Sequence, residues 1–212
     1  MSSLVPPRFS AVIFDMDGVL IDARDWHYRA LNDALEIFDA SIDRHEHETR
    51  FDGLPTRVKL QMLTDEGKLP AHLHELIDEV KQERTLREAA QRCFPRVEHL
   101  LMMEWLKREG ISIGLATNSI RRTTLAMLDF AGLLNYLDVI VTNEDVRNAK
   151  PAPDIYLEAV RLLGVTPGQT LVVEDSEFGI RSAEAAGCTV IRVSGIEDVS
   201  ENLLGPYFGV PA

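Results

Sequence analysis

The amino-acid sequence predicts an α/β protein with a doubly wound parallel sheet and a helical segment inserted after the first strand. From Ile111 onward, short β-rich runs alternate with amphipathic helical runs. The helical runs end at glycines, which close helices easily; these are Gly110, Gly132, Gly164 and Gly187. Because each connection must return the chain to the same end of the sheet, such β-α units form a parallel sheet with helices on both faces.

The predicted strands follow from these runs. One strand stands alone at residues 10–14, and the others cover residues 111–116, 136–141, 170–173 and 189–193. Residues 22–94 contain apolar side chains at helical spacing and no convincing strand, so they are predicted to form a separate helical domain. Residues 1–21 and 95–212 then make the sheet domain, with a loosely held tail from residue 205.

Composition and charge exclude several classes of function. The 212 residues carry 22 basic and 34 acidic side chains and a formal net charge of −12, which disfavours binding to nucleic acid or to anionic membranes. No apolar run is long enough to span a bilayer, and residues 1–7 do not resemble a signal peptide. The two cysteines suggest no disulfide framework. We expect a cytoplasmic protein, either a monomer or a small homo-oligomer.

Two acids mark the end of the first predicted strand. Asp15 and Asp17 lie two residues apart in a segment that otherwise resembles core. Like charges this close raise one another's pKa, and a divalent cation is the usual compensation. Mg²⁺ accepts one or two carboxylates while it keeps waters and substrate phosphate in its shell. The alternative is a surface turn in which Asp17 and Gly18 reverse the chain.

Polar residues also follow the other predicted strands. They are Thr117 and Asn118, then Lys150 after a short loop, and finally Glu174 and Asp175. In a parallel sheet the carboxyl ends of the strands share one edge, so these side chains are expected to meet in one place. Taken singly, each is better explained as a helix cap or a solvated side chain. Together they supply carboxylates for a metal and donors for a phosphate group.

In this order, four segments resemble the motifs of the haloacid dehalogenase superfamily: Asp15-Met16-Asp17-Gly18-Val19, Thr117-Asn118, Lys150-Pro151 and Glu174-Asp175. The stretch 172–176, with Gly179 and Ala186-Gly187, is similar to the branch that contains beta-phosphoglucomutase and phosphoglycolate phosphatase. The resemblance covers nearly the whole chain. It implies a Rossmann-like core and a cap domain formed by the helical insert.

The resemblance also implies a role for each motif residue. Asp15 would attack phosphorus to form an aspartyl phosphate, and Asp17 would act as general acid and then as general base. Mg²⁺ would be held by the Asp15 carboxylate, the Asp17 carbonyl and Asp175, with Glu174 reaching it through water. The transferred phosphoryl group would be bound by Thr117, the Asn118 backbone and Lys150.

The acid at position 17 favours phosphate esters, because leaving alkoxides need protonation. Water would then release the phosphoryl group in a phosphatase, whereas a sugar hydroxyl would accept it in a mutase. In the mutases of this branch, the similar cap loop carries a basic residue before its glycine and an Arg soon after it. Here an acid, Asp52, stands before Gly53, and Arg57 comes one residue later than that Arg. Since Asp52 would repel a second phosphate, we favour a phosphatase that acts on a small phosphorylated metabolite, with a sugar phosphomutase as the alternative.

Other residues carry weaker expectations. His27 either helps to position Asp17 or simply packs on its own helix. Lys81 could reach substrate from the cap, but a solvated helix face is the favoured expectation. Four other histidines are expected at the surface: His45, His47, His72 and His74. A third alternative is a receiver-type signalling module, which also places acids, a Thr and a Lys at strand ends around Mg²⁺. Such a module lacks a helical insert.

Overall fold

The computed structural model describes residues 9–209. Five strands are present in that range: β1 (Ala11–Phe14), β2 (Ser112–Ala116), β3 (Val139–Val141), β4 (Thr170–Glu174) and β5 (Thr189–Arg192). The α-helices in the same range are α1 (Arg24–Leu35), α2 (Arg44–Glu46), α3 (Thr56–Asp65), α4 (His74–Arg92), α5 (Val97–Arg108), α6 (Arg121–Phe130), α7 (Asp154–Leu163), α8 (Glu177–Ala185) and α9 (Glu201–Leu204).

The five strands form one parallel sheet in the order β3-β2-β1-β4-β5. Strand β1 is central and pairs with β2 on one side and with β4 on the other, with Phe14 beside Leu115 and Val173. The chain therefore winds outward in both directions from β1. The predicted doubly wound α/β fold is confirmed.

Helices cover both faces of this sheet. Side chains alternate along a strand, so Val12 and Phe14 pack into the cluster on one face while Ile13 packs into the cluster on the other. The first cluster includes apolar residues of α5 and α6, and the second includes those of α7 and α8. Because both faces are buried, the strands are almost continuously apolar.

The predicted helix stops also agree with the structure. Helix α7 ends at Gly164, whose φ of 70° and ψ of 24° lie in the left-handed region that a Cβ disfavours. The other three predicted glycines also have positive φ values. Strand β3 is shorter than predicted, since residues 134–136 form a 3₁₀ turn before it.

The segment between β1 and α5 is helical and has an apolar cluster of its own. That cluster contains Leu31, Leu35, Phe51, Leu60 and Ile77, contributed by helices α1, α3 and α4 and by the π-helical turn His47–Phe51. We call residues 24–92 the helical segment. The predicted domain boundaries at residues 21/22 and 94/95 remain a prediction.

The prediction of a loose C-terminal tail is wrong for the residues that the structure describes. Residues Gly205–Tyr207 form a 3₁₀ turn, and the Phe208 ring packs edge-on against Trp105 at 6.0 Å between ring centroids. The buried Phe208 ring holds these residues against the sheet domain despite their Gly and Pro content, because burial of an aromatic ring is strongly favourable. Residues 210–212 lie outside the described residues. Within the described range, no helix is long and apolar enough to cross a membrane.

Candidate active site

The carboxyl edge of the sheet carries the predicted site residues. Asp15 follows β1, Thr117 follows β2, Glu174 ends β4 with Asp175 directly after it, and Lys150 comes from the loop between β3 and α7. Their side chains meet at a cavity between this edge and the helical segment. Lining residues from the two sides include Asp15, Asp17, Thr117, Asn118, Lys150 and Asp175 from the edge and His27, Asp52, Gly53, Lys59 and Lys81 from the segment.

Lys150 is the centre of a buried charge cluster. Its ammonium lies 2.6 Å from Asp15 Oδ1 and 2.6 Å from Glu174 Oε1, and it donates to the Ala116 carbonyl at 2.9 Å. Burial raises the pKa of Asp15 well above its usual range, and Lys150 opposes that effect. The pKa of Lys150 is raised, since its two carboxylate partners outweigh its burial. The lysine therefore compensates for part of the acid charge.

Glu174 is fully buried and accepts five hydrogen bonds. Its Oε1 accepts from Lys150 and from the Tyr156 hydroxyl at 2.8 Å, and its Oε2 accepts from two backbone amides and the Ser176 hydroxyl at 3.1 Å. Five donors use the whole accepting capacity of a carboxylate. The geometry therefore favours a positioning role for Glu174 over the predicted contact with a metal through water.

The acid cluster fits a divalent cation. Carboxylate oxygens of Asp15, Glu174 and Asp175 lie within 4.8 Å of one another. Burial, together with Glu174, raises the pKa of Asp175 to about 7, although Arg24 lies 3.4 Å away. The protein side chains thus leave an excess of negative charge at this point. The Glu174 oxygens are occupied by protein donors, which leaves the carboxylate oxygens of Asp15 and Asp175. Hard oxygen ligands of this kind are those that Mg²⁺ prefers.

Gly18 allows Asp175 to reach this position. The backbone of Gly18 has φ of +89°, and a Cβ placed there would lie 2.1 Å from Asp175 Oδ2. A side chain at this position would have to displace the carboxylate and would also force an unfavourable backbone conformation. The sequence Asp17-Gly18 is therefore a turn, as one reading predicted, but one that lies inside the site.

We expect Gly18→Ala to lower the affinity for Mg²⁺ by at least about tenfold, because it displaces the Asp175 carboxylate, a candidate ligand of that cation. The Mg²⁺ concentration that gives half-maximal turnover measures this effect. Gly164→Ala is the matched control, since it also places an alanine at positive φ but has no neighbour within 4 Å. Equal Mg²⁺ requirements in the two variants would refute the role of Gly18.

Asp17 is surrounded by hydrogen-bond donors. Ser119 donates to Asp17 Oδ2 at 2.8 Å, and His27 Nε2 lies 3.1 Å from Asp17 Oδ1. The ammonium of Lys81 lies 3.2 Å from His27 Nδ1. Because an ammonium can only donate, Nδ1 accepts and the ring proton stays on Nε2, where it is directed at Asp17.

These contacts set the charge states of the group. Burial would raise the pKa of Asp17, but His27, Ser119 and Lys81 outweigh burial and lower it. Burial and the neighbouring Lys81 lower the pKa of His27. The structure thus favours an ionised Asp17 beside a neutral His27. Of the two readings of His27, the geometry agrees with the contact to Asp17.

The expectation for Lys81 is wrong. Lys81 is only 7% exposed and lies in the cavity, whereas a solvated helix face was expected. Helix α4 packs its Lys81 face against α1, which brings the ammonium to His27. Lys81 lies four residues after Ile77 and eight before Ala89 on the buried face of α4, and that helical spacing is the signal that would have indicated its position.

Asn118 links the sheet edge to the helical segment. Its side-chain amide donates to the Gly53 carbonyl at 2.7 Å, and its Oδ1 accepts from the Lys150 backbone amide at 3.1 Å. Thr117 is buried, and its hydroxyl accepts from the Ser119 amide. The side chain of Asn118 therefore ties together the loops that carry Gly53 and Lys150, in addition to the backbone role predicted for it.

The helical segment places its cations differently from the sequence prediction. Arg57 is exposed and lies outside the cavity lining, while Lys59, which the sequence analysis did not identify, is buried in the cavity. Both lie on α3, but Lys59 is adjacent to Leu60 and one turn from Leu63 on the buried face. That helical spacing is the signal that distinguishes the two residues.

One of the four other histidines is not at the surface. His47 is 3% exposed and packs on the Tyr28 ring at 4.9 Å, with Asp52 3.9 Å from its Nε2. Burial lowers the pKa of His47 to about 3, so the ring is neutral. The π-helical turn directs this residue inward, which the spacing of two residues from His45 did not predict.

The fold and the site together define an α/β enzyme whose acids meet the buried Lys150 at the carboxyl edge of a parallel sheet, below a helical segment. Residues 12–193 match the model of the haloacid dehalogenase-like hydrolase family, and the chain belongs to that family. It is an enzyme of the phosphatase type, with the mutases of the family as relatives.

Individual relatives agree with this assignment. The chain is 34% identical to a phosphorylated carbohydrates phosphatase of Thermotoga maritima, over 88% of this chain and 84% of that protein. It is 30% identical to beta-phosphoglucomutase of Bacillus subtilis, over 86% and 82% of the two chains. Among solved structures, CbbY from Rhodobacter sphaeroides in complex with xylulose-(1,5)-bisphosphate superposes with a TM-score of 0.81 at 28% identity, covering 88% and 87% of the two chains.

Proposed function

We propose that the protein is a Mg²⁺-dependent phosphatase that hydrolyses a small phosphorylated metabolite, such as a sugar phosphate, through an aspartyl-phosphate intermediate. The observation that carries the proposal is the pairing of a buried Asp15, 2.6 Å from Lys150, with an Asp17 held by His27 and Ser119. One acid is placed to attack and the other to move protons, and the two differ in their surroundings.

In the first step Asp15 attacks phosphorus. A bond forms between its carboxylate oxygen and phosphorus, the bond from phosphorus to the ester oxygen breaks, and Asp17 gives its proton to the leaving oxygen. Lys150, Thr117 and the Asn118 amide would bind the equatorial oxygens. Mg²⁺, held by Asp15, Asp175 and the Asp17 carbonyl, would supply positive charge that offsets repulsion between the carboxylate and the phosphate.

In the second step water attacks the phosphorus of the aspartyl phosphate, the bond from phosphorus to the Asp15 oxygen breaks, Asp17 accepts a proton from that water, and inorganic phosphate leaves. The contacts of Asp17 with His27 and Ser119 lower its pKa, so that Asp17 is ionised and able to accept this proton. The first step requires a protonated Asp17, and the negative charge of the incoming phosphate raises the pKa of a neighbouring carboxyl group. Substrate binding therefore prepares Asp17 for the acid role.

A mutase is the second candidate, since one curated relative carries that name. Water as the acceptor is favoured by Asp52, which lines the cavity directly before Gly53 and opposes a bound sugar bisphosphate at that loop.

Phosphorus NMR of the reaction with a hexose 1-phosphate and Mg²⁺ tests the proposal. We expect inorganic phosphate to accumulate without hexose 6-phosphate, and we expect EDTA to slow its release at least about 100-fold, because metal charge stabilisation is worth several kcal/mol. Formation of hexose 6-phosphate with little free phosphate would establish the mutase instead. A stable phosphorylated protein that does not turn over would favour a receiver-type module.

A further inference from the structure

Tyr156 is a buried aromatic residue that contacts the charge cluster of the site. It lies on helix α7, where it shares the buried face with Ile155 and Ala159. Its side chain is fully buried, and its hydroxyl donates to Glu174 Oε1 at 2.8 Å. The Lys150 ammonium lies over its ring, 4.9 Å from the ring centroid. The apolar face of α7 accounts for the ring, but it does not account for the hydroxyl.

The Lys150 ammonium is fully engaged in this structure. It donates to one oxygen each of Asp15 and Glu174 and to the Ala116 carbonyl, and three acceptors use all the donors of an ammonium. In the proposed reaction Lys150 also binds an oxygen of the phosphoryl group. That oxygen has to displace one of the present acceptors or share a donor with it. The strength with which these acceptors hold the ammonium therefore affects how tightly the phosphoryl group is bound.

Tyr156 weakens the hold of Glu174 on Lys150. The tyrosine hydroxyl and the ammonium donate to the same oxygen, Glu174 Oε1. A second donor compensates part of the negative charge on that oxygen, which reduces its attraction for the ammonium. Since Glu174 is fully buried, bulk water does not supply this donor in place of the tyrosine. Burial and the neighbouring Glu174 raise the pKa of Tyr156 well above its usual range, so the hydroxyl keeps its proton and can donate it.

We propose that Tyr156 is a positioning residue for phosphate binding, whose hydroxyl shares Glu174 Oε1 with Lys150 and so leaves the ammonium able to engage the phosphoryl group. This inference rests on the proposed function, in which Lys150 binds that group. It adds a residue that the sequence motifs do not include. Tyr156 lies outside the cavity lining, so it acts through Lys150 and not on the substrate.

Tyr156→Phe tests the inference, because it removes the hydroxyl and keeps the ring. Glu174 Oε1 would then hold Lys150 more strongly. We expect the dissociation constant of inorganic phosphate, measured by isothermal titration calorimetry with Mg²⁺ present, to rise about 3- to 10-fold, which corresponds to one hydrogen bond. The value of kcat/KM should fall by a similar factor for each phosphate ester tested, whatever its leaving group.

Two further variants sharpen the test. Tyr136→Phe is the matched control, since the Tyr136 hydroxyl also donates to a glutamate, Glu104 at 2.7 Å, but that pair is exposed and outside the cavity lining. It should bind phosphate like the wild type. Replacement of Tyr156 by 3-fluorotyrosine keeps the ring and the hydroxyl and makes the hydroxyl a stronger donor. This variant should bind phosphate more tightly than the wild type.

A purely structural role for Tyr156 gives a different result. Tyr156→Phe would then lower the unfolding midpoint and the active fraction, which reduces kcat but leaves the phosphate dissociation constant unchanged, and that outcome would overturn the inference. If Tyr156→Phe did not fold, unchanged or weaker phosphate binding by the 3-fluorotyrosine variant would overturn it.

The proposed function can fail separately. A wild type that binds phosphate but hydrolyses no ester would refute the phosphatase alone, because the phosphate measurement does not need turnover. A wild type that neither binds phosphate nor hydrolyses esters would refute both the phosphatase and the role of Tyr156.

Discussion

Asp15→Asn should lower the release of inorganic phosphate by a factor on the order of 10⁴ or more, because an amide does not form the covalent intermediate. The fold should survive. The asparagine Oδ1 still accepts the hydrogen bond from Lys150, and Lys150 keeps Glu174 as a charge partner. The variant should therefore bind Mg²⁺ weakly but unfold like the wild type.

Phosphate release with Mg²⁺ present, measured under single-turnover and steady-state conditions, checks this result. Asp22→Asn is the matched control, since it makes the same chemical change at an exposed acid outside the cavity lining. It should retain full activity. Residual activity of Asp15→Asn within about tenfold of the wild type would exclude Asp15 as the nucleophile.

Lys150→Met should destabilise the protein by about 3–5 kcal/mol, because it leaves buried carboxylates without their cation. Asp15 and Glu174 would both lose a contact of 2.6 Å, and the Ala116 carbonyl would lose its donor. The methionine fills a similar volume, so the effect comes from charge more than from packing.

The loss of stability caused by Lys150→Met should depend on pH. Burial already raises the pKa of Asp15, and removal of Lys150 raises it further in the folded state only. A carboxyl group with a raised folded-state pKa destabilises the fold above that pKa and not below its unfolded value. The loss should therefore be larger at pH 8 than at pH 5. Urea unfolding in EDTA, followed by circular dichroism at both pH values, measures it.

Lys107→Met is the control for this measurement. Lys107 pairs with Asp138 at 2.5 Å, but both side chains are partly exposed, so its removal should cost no more than about 1 kcal/mol. If Lys150→Met unfolded with a free energy within about 1 kcal/mol of the wild type, the buried cluster would not depend on this lysine.

The central strand and the motif residues could be predicted from the sequence because local signals specify them. Apolar runs bounded by glycines such as Gly164 fix the strands and helix ends, and topology rules bring the strand ends to one edge. For that reason Asp15, Lys150 and Asp175 were expected to meet, although they lie far apart in the chain.

The helical segment was less predictable, because its side chains are positioned by packing between helices. Arg57 and Lys59 are two residues apart on one helix, and only the contact of α3 with the rest of the segment decides which of them is buried. His47 and Lys81 were placed at the surface for the same reason. Helical spacing indicates which residues share a face of a helix, but it does not indicate which other element that face packs against.

By itself, the sequence determined the doubly wound sheet, the family and the group of acids, since these depend on periodicity and on residues directly after strands. Only the tertiary structure decided which cations of the helical segment reach the cavity and that Glu174 is already saturated by protein donors. The physical reason is that a buried charge is defined by its partners, and those partners come from distant parts of the chain.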